Sequence, residues 1–272
     1  MSALIDPGDL HEGLRLFDVR MGPDAAEAYR AAHLEGAHFV DVERDLSGDA
    51  SDPARGGRHP LPSVRAFSQT LGRLGVTPET DVVVYDDASG AKAAARAWWM
   101  LRAVGHARVR VLDGGMQAAL AAGWPASAEI PTRIPAPPYP ASAWALPTVE
   151  LGALEDALAR GAVLLDVRSA ARFRGEAEPF DPPGGHIPGA INVPLTESLD
   201  ASGRFLPPEA LRARFAEALG EPASRALIVS CGSGITACHT LLALEHAGIS
   251  GAALYVGSFS EWSRAGRPVE RA

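Results

Sequence analysis

Residues 226–248 read ALIVSCGSGITACHTLLALEHAG and contain a short apolar run, a glycine-rich turn and a helical pattern. The apolar run at 227–230 is typical of a strand that is buried on both faces of a parallel sheet. The segment after Thr236 has helical spacing and ends at Gly248, a residue type that commonly terminates helices. The stretch therefore predicts a strand, a tight loop and a helix beginning about Ala237, as in an open α/β sheet.

The motifs of the first half of the chain recur in the same order in the second half. Three pairs of segments correspond: LRLFDVR at 14–20 with AVLLDVR at 162–168, HLEGAHFVDVE at 33–43 with HIPGAINVPLT at 186–196, and DVVVYD at 81–86 with ALIVSC at 226–231. A repeat of this length predicts two domains rather than a solenoid, whose repeat unit is about 20–50 residues. We therefore expect an α/β fold of two tandem domains, each an open, mostly parallel sheet flanked by helices.

The boundary between the two domains is marked by proline. Residues 125–147 include seven prolines, which remove backbone donors and favour extended conformations in their neighbours. We interpret this segment as a stiff linker, with a first domain at 1–124 and a second domain at 148–272.

The composition excludes several classes of protein. The 272 residues carry a net charge of −8, which disfavours a nucleic-acid binder because such proteins need a basic surface. No apolar run approaches the roughly 18 residues of a membrane-spanning helix, and the first residues, MSALIDPGDLHEG, lack the pattern of a secretory signal. Two cysteines are too few for a disulfide framework or a four-thiolate metal site. We expect a cytoplasmic globular protein with no metal and no cofactor.

Cys231 lies where ligands bind in such sheets, just after the carboxyl end of a predicted strand. Gly232 and Gly234 allow consecutive backbone N–H groups to turn inward as an anion-binding nest, and the following helix adds its positive end. Both features favour the thiolate over the thiol, as in reactive cysteines. Two alternatives are an inert buried cysteine and a cysteine phosphatase, which would require an arginine where the chain has Ala237.

The first domain has a carboxylate at the position that corresponds to the cysteine. Its strand DVVVYD ends at Asp86, and a carboxylate cannot replace a thiolate as the group that accepts sulfur. We expect this domain to be catalytically silent and to form a wall of the active site. The pairs Asp18–Arg20 and Asp166–Arg168 occur in both copies. We interpret them as structural because the silent copy shares them.

Together these motifs resemble the two-domain rhodanese superfamily, and within it the 3-mercaptopyruvate sulfurtransferases. The resemblance extends over nearly the whole chain and rests on EGAHFVD, ARAWWMLRAVGH and LDGG in the first half and on DVRSAARFRG, GHIPGAINVP and CGSGITACH in the second. It implies a ping-pong reaction. Cys231 takes a sulfur atom from a small-molecule donor as a persulfide and passes it to a thiol such as thioredoxin or glutathione, or to cyanide.

The resemblance also implies roles for the residues around the cysteine. Arg172, in ARFRG, would hold the anionic end of the donor. Ser233, His59 and Glu43 would form a relay that delivers a proton to the leaving group, since a carboxylate orients an imidazole and supports its charged form. The other loop residues would bind the sulfur anion and the donor: Gly232, Gly234, Ile235 and Thr236.

The identity of the donor is left open by two conflicting features. No residue in 231–237 is charged, whereas family members that use thiosulfate tend to have cations in this loop, so 3-mercaptopyruvate is favoured. Phe180, however, occupies the position where mercaptopyruvate enzymes usually carry a second arginine for the substrate carboxylate. Thiosulfate:cyanide sulfur transfer is therefore one alternative, and a rhodanese-like sulfur-carrier or binding module is another.

Overall fold

The computed structural model describes residues 2–90, 92–220 and 225–271. The chain divides into two compact units that are not continuous in sequence. Unit 1 comprises Met1–Ser47, Pro62–Leu146 and Ala201–Phe205, and unit 2 comprises Gly48–Leu61, Pro147–Asp200 and Leu206–Ala272. A segment of the first half of the chain, Gly48–Leu61, thus belongs to unit 2.

Unit 1 is built on a parallel sheet with the strand order β1-β6-β5-β2-β4. Its strands are β1 (Leu4–Ile5), β2 (Arg15–Asp18), β3 (His33–Leu34), β4 (His38–Phe39), β5 (Val82–Tyr85), β6 (Val109–Leu112) and β7 (Ala126–Ser127), of which β3 and β7 form a separate antiparallel pair. Its helices are α1 (Ala25–Ala31), α2 (Val42–Asp45), α3 (Val64–Arg73), α4 (Ala93–Ala103) and α5 (Gly115–Ala121).

Unit 2 contains a second parallel sheet with the order β10-β9-β11-β12-β8. Its strands are β8 (Thr148–Val149), β9 (Val163–Asp166), β10 (Ile191–Asn192), β11 (Leu227–Ser230) and β12 (Ala253–Tyr255). Its helices are α6 (Leu151–Ala159), α7 (Ala170–Arg174), α8 (Pro208–Leu219), α9 (Ala237–His246) and α10 (Ser258–Arg264).

The two sheets have the same topology, because each strand of one occupies the place of its sequence counterpart in the other. All four residues of β5 and of β9 are buried, as the continuous apolar runs predict for central parallel strands. The predicted α/β fold of two tandem domains with parallel sheets is therefore confirmed. Among the residues that the structure describes, no helix is long and apolar enough to cross a membrane.

The proline-rich segment up to Leu146 packs on unit 1. The backbone N–H of Ala136 donates to Gly72 O at 2.8 Å, and that of Tyr139 donates to Ser68 O at 3.0 Å. An extended chain without a ladder partner still needs acceptors for its N–H groups, and carbonyl groups of α3 supply them for Ala136 and Tyr139.

Candidate active site

Cys231 follows the central strand β11 and is 1% exposed. Its Sγ accepts a hydrogen bond from the backbone N–H of Gly234 at 3.1 Å. Gly234 has φ +79°, and a Cβ atom there would lie 2.2 Å from Val256 O. Only glycine therefore allows the loop to turn this amide toward the sulfur. The amide donor makes the loop suited to holding a negative charge on the sulfur.

Ser258, at the start of α10, also borders the sulfur. Its hydroxyl oxygen accepts the backbone N–H of Cys231 at 3.1 Å, donates to Tyr255 O at 2.9 Å and lies 3.9 Å from Cys231 Sγ. Ser258 has φ +51°, a conformation that is uncommon for a residue with a side chain. The strained residue therefore lies against the predicted nucleophile, and strained residues are frequent at functional sites.

The first amides of α10 hold the cysteine loop in place. Phe259 N–H donates to Cys231 O at 3.0 Å, and Ser260 N–H donates to Gly232 O at 2.8 Å. The first N–H groups of a helix lack partners within the helix, so the loop carbonyls satisfy them. These bonds fix the backbone of the loop from outside and leave its inward-facing amides available to the sulfur.

His59 and Ser233 share a hydrogen bond of 2.8 Å between Nδ1 and Oγ, and both side chains are buried. Both residues belong to unit 2, since His59 lies on the segment Gly48–Leu61. Gly56 N–H donates to Glu261 Oε1 at 2.7 Å, and a Cβ atom at Gly57 would lie 2.4 Å from Gly257 O. This close backbone approach holds the histidine beside the cysteine loop.

Arg172 lies over the cysteine loop, because a Cβ atom at Gly232 would be 3.0 Å from its Nη2. Its Nε and Nη2 donate to the carboxylate of Glu178 at 2.7–3.1 Å. The same carboxylate accepts from Arg168 Nη1 at 3.0 Å. The predicted donor-binding arginine therefore stands beside the loop, held by a buried acid that the sequence analysis did not identify.

Arg168 is electrostatically coupled to the cysteine. Its Nε donates to Asp166 at 3.0 Å, and its guanidinium lies 4.0 Å above the ring of Phe259. Burial opposes the charged form of Arg168, but its hydrogen bond to Asp166 and the negative charges of Asp166, Glu178 and Cys231 together raise its pKa above the usual value.

Arg58 and Asp181 form another ion pair of unit 2. The Arg58 Nε and Nη2 atoms donate to the two carboxylate oxygens at 3.0 Å, and Asp181 is completely buried. The guanidinium carbons of Arg58 and Arg172 lie 4.9 and 5.4 Å from the ring centroid of Phe180. Phe180 itself is 54% exposed.

The remaining predicted site residues lie as follows. Ile235 is buried in the loop, and Thr236 is the last residue before α9. Glu43 lies on α2 in unit 1, so its part in the proton relay stays a prediction. Cys238 is buried on α9 and donates its S–H to Gly234 O at 3.5 Å. Both cysteines are free thiols.

The corresponding loop of unit 1 holds its own anion. The Asp86 carboxylate accepts four backbone N–H bonds at 2.8–3.2 Å, from the residues Ala88, Gly90, Lys92 and Ala94. Burial raises the pKa of Asp86, and these hydrogen bonds act in the opposite direction. The loop after the central strand thus binds negative charge in unit 1 as well, but on a side chain that cannot accept a sulfur atom.

Sequence reasoning missed four residues of the site: Arg58, Glu178, Asp181 and Ser258. Arg58 and Glu178 carry a weak signal, because Arg58 directly precedes His59 in RHPLP and Glu178 follows Arg172 by six residues in RFRGEAEP. Ser258 lies 27 residues beyond the cysteine, and nothing in its local sequence marks it.

Comparison with known proteins identifies the family. The Rhodanese-like domain matches residues 2–122 and 150–265. A probable 3-mercaptopyruvate sulfurtransferase from Pseudomonas aeruginosa is 44% identical, over 87% of this chain and 83% of that protein. A putative thiosulfate sulfurtransferase, SseB from Mycobacterium tuberculosis, is 41% identical over 100% of this chain and 94% of that protein. The chain belongs to the rhodanese family, with two tandem domains.

The solved structures agree with this assignment. The 3-mercaptopyruvate sulfotransferase SseA from Escherichia coli superposes with a TM-score of 0.80 at 31% identity, over 95% of this chain and 99% of that one. With relatives of both kinds similar along nearly their whole length, the protein is a sulfurtransferase of the 3-mercaptopyruvate/thiosulfate sulfurtransferase type.

Proposed function

We propose that the protein transfers sulfane sulfur from 3-mercaptopyruvate to a thiol or cyanide acceptor through a persulfide on Cys231. The observation that carries this proposal is the hydrogen bond between Ser233 and His59 two residues from the nucleophile, 2.8 Å long and buried. A proton relay is needed for a carbon leaving group and not for sulfite.

The donor half-reaction forms one sulfur–sulfur bond and breaks one carbon–sulfur bond. The Cys231 thiolate attacks the sulfur of 3-mercaptopyruvate, and the electron pair of the broken bond goes to the enolate of pyruvate. Ser233 and His59 deliver the proton that converts the enolate to pyruvate, and Glu43 supports the charged imidazole. Arg172 holds the donor carboxylate.

The acceptor half-reaction returns the enzyme to its starting state. An acceptor thiolate or cyanide attacks the outer sulfur of the persulfide, and the electron pair of the broken sulfur–sulfur bond returns to Cys231. The Gly234 N–H and the neighbouring Arg168 stabilise that thiolate. Thioredoxin, glutathione and cyanide are the proposed acceptors, and a cytoplasmic location, where thiols stay reduced, stays a prediction.

Thiosulfate:cyanide sulfur transfer is the second candidate, favoured by Phe180 in place of a second arginine and by the similarity to the mycobacterial relative. Steady-state kinetics with both donors and cyanide as common acceptor decide between them. We expect kcat/KM to be higher for 3-mercaptopyruvate. A much higher value for thiosulfate would refute the proposed donor.

A sulfur carrier without turnover is the third candidate. It is tested by mass spectrometry of the protein after incubation with either donor. We expect Cys231 to gain about 32 Da, one sulfur atom, and to lose it when cyanide is added. Cys231→Ser should show no gain, whereas Cys238→Ser, which keeps the nucleophile, should behave as the unaltered protein. A persulfide that cyanide does not remove would support the carrier.

A further inference from the structure

Phe180 is the centre of an unusual arrangement of charges in unit 2. Its exposed ring lies within 4.9 Å of the Arg58 guanidinium carbon and 5.4 Å of that of Arg172. Arg172 also lies against Gly232 of the cysteine loop. Two arginines, one of them with no assigned role, therefore converge on one side chain beside the site.

The two arginines are held in the same way. In each, Nε and Nη2 donate to a buried carboxylate, Asp181 for Arg58 and Glu178 for Arg172. Within the described part of the chain, neither Nη1 atom donates a hydrogen bond. A guanidinium has five N–H donors, so each arginine is rigidly oriented while its Nη1 end is available to a ligand.

The position of Arg58 ties it to the reaction site. It directly precedes His59, whose ring binds Ser233 at 2.8 Å, and its backbone follows Gly57, which lies against Gly257. Arg58 cannot shift far without moving the histidine.

The charge of this ion pair is not balanced. Asp181 is shared between Arg58 at 3.0 Å and Arg264 at 3.4 Å, so two cations face one carboxylate. By contrast, Arg168 and Arg172 are matched by Asp166 and Glu178. The surplus positive charge lies on the group formed by Arg58, Arg264 and Asp181. An anionic ligand bound there would compensate this charge.

We propose that Arg58, together with Arg172, binds the anionic group of the sulfur donor and determines its affinity. The proposal rests on the proposed function in taking the donor to be a small anion with a carboxylate. Arg58 thereby supplies, from a different segment of the chain, the second cation that is missing at position 180.

Arg58→Gln tests this role. We expect KM for 3-mercaptopyruvate to rise about 10- to 100-fold with a smaller change in kcat, as for the loss of one charge-assisted hydrogen bond. The rate at which preformed Cys231 persulfide reacts with cyanide should stay unchanged, because no donor is bound in that step. Calorimetry with pyruvate, an anionic product, should show the same loss of affinity.

Two further variants distinguish a loss of donor binding from a general disturbance of the fold. Arg264→Gln removes the other cation on Asp181 and should leave the donor KM within about two-fold. Arg264 Nη2 donates to the Phe180 carbonyl oxygen at 2.9 Å, whereas the guanidinium groups over the Phe180 ring belong to Arg58 and Arg172. Adding Phe180→Arg to Arg58→Gln places a guanidinium at the shared position and should restore much of the donor affinity. An unchanged KM in Arg58→Gln, an equal rise in Arg264→Gln, or a lost persulfide step in a folded Arg58→Gln would overturn the proposal.

The test of Arg58 and the test of the proposed function can fail independently of each other. Whether the unaltered protein prefers 3-mercaptopyruvate or thiosulfate decides the donor. The ratio of KM between Arg58→Gln and the unaltered protein, measured for whichever donor is used, decides the role of Arg58.

Discussion

His59 and Ser233 are 174 residues apart in the chain and form a buried hydrogen bond of 2.8 Å. A buried hydroxyl and imidazole in contact can pass a proton without bulk water. The enolate that leaves 3-mercaptopyruvate needs such a proton, whereas sulfite leaves thiosulfate as a stable anion. The two donors therefore place different demands on the same pair of residues.

Ser233→Ala and His59→Ala should each lower kcat with 3-mercaptopyruvate by about 10²-fold or more, the usual effect of losing a general acid. Turnover of thiosulfate should change much less. Paired steady-state assays measure this difference. Ser263→Ala, which removes a buried hydroxyl of α10 outside the cysteine loop, is the control and should affect neither donor. Equal losses with both donors would argue against the relay.

At the scale of elements, the loop after the central strand has the same electrostatic character in both units. In unit 2 it directs the Gly234 amide at the Cys231 sulfur, and in unit 1 it directs four amides at the Asp86 carboxylate. The loops differ in the acceptor that these amides face, which is a sulfur atom in unit 2 and a carboxylate in unit 1.

Asp86→Ala should destabilise unit 1 by about 3 kcal/mol or more, because four backbone donors lose their acceptor in a buried loop. The free energy of unfolding from urea denaturation measures the loss. Asp87→Ala is a matched control, since the Asp87 side chain is 39% exposed and pairs with Lys92 at 3.5 Å. A surface pair of this kind contributes at most about 1 kcal/mol. Equal effects of the two substitutions would contradict the anion-binding description of the loop.

Sequence pattern predicts those elements that are local. The runs VVVY and VLLD predict buried strands, and the structure has them. The helical spacing after Thr236 predicts a helix that begins about Ala237, and α9 begins at that residue. Contacts between distant segments carry no local pattern. The bond from Ser258 to Cys231 and the pairing of Arg58 with Asp181 depend on packing of separate elements. The Ser233–His59 pair was expected only through family resemblance.

At the scale of the whole molecule, two buried histidines lead us to expect that stability depends on pH. Burial, with the charge of neighbouring Arg15, lowers the pKa of His38 in unit 1 to about 4, and burial lowers that of His239 in unit 2 to about 3. Arg15 Nη1 donates to His38 Nε2 at 3.2 Å, which requires the neutral ring.

The unfolded chain takes up a proton on each histidine near pH 6.5, whereas folded His38 does so only near pH 4. The free energy of unfolding should therefore fall as the pH falls from about 6.5 to about 4, by up to about 3 kcal/mol for His38. Urea denaturation at a series of pH values measures this slope. His38→Gln should reduce the slope and leave the contribution of His239, and an unchanged slope in that variant would contradict the prediction.

Because Gly48–Leu61 belongs to unit 2, a cut between the two halves of the sequence does not release unit 2 intact. A fragment starting at Pro147 would carry the nucleophile but neither His59 nor Arg58. Severing the chain at its proline-rich stretch would thus separate Cys231 from the histidine that we propose as its proton source. The compact unit that holds Cys231 thus draws residues from both halves of the chain.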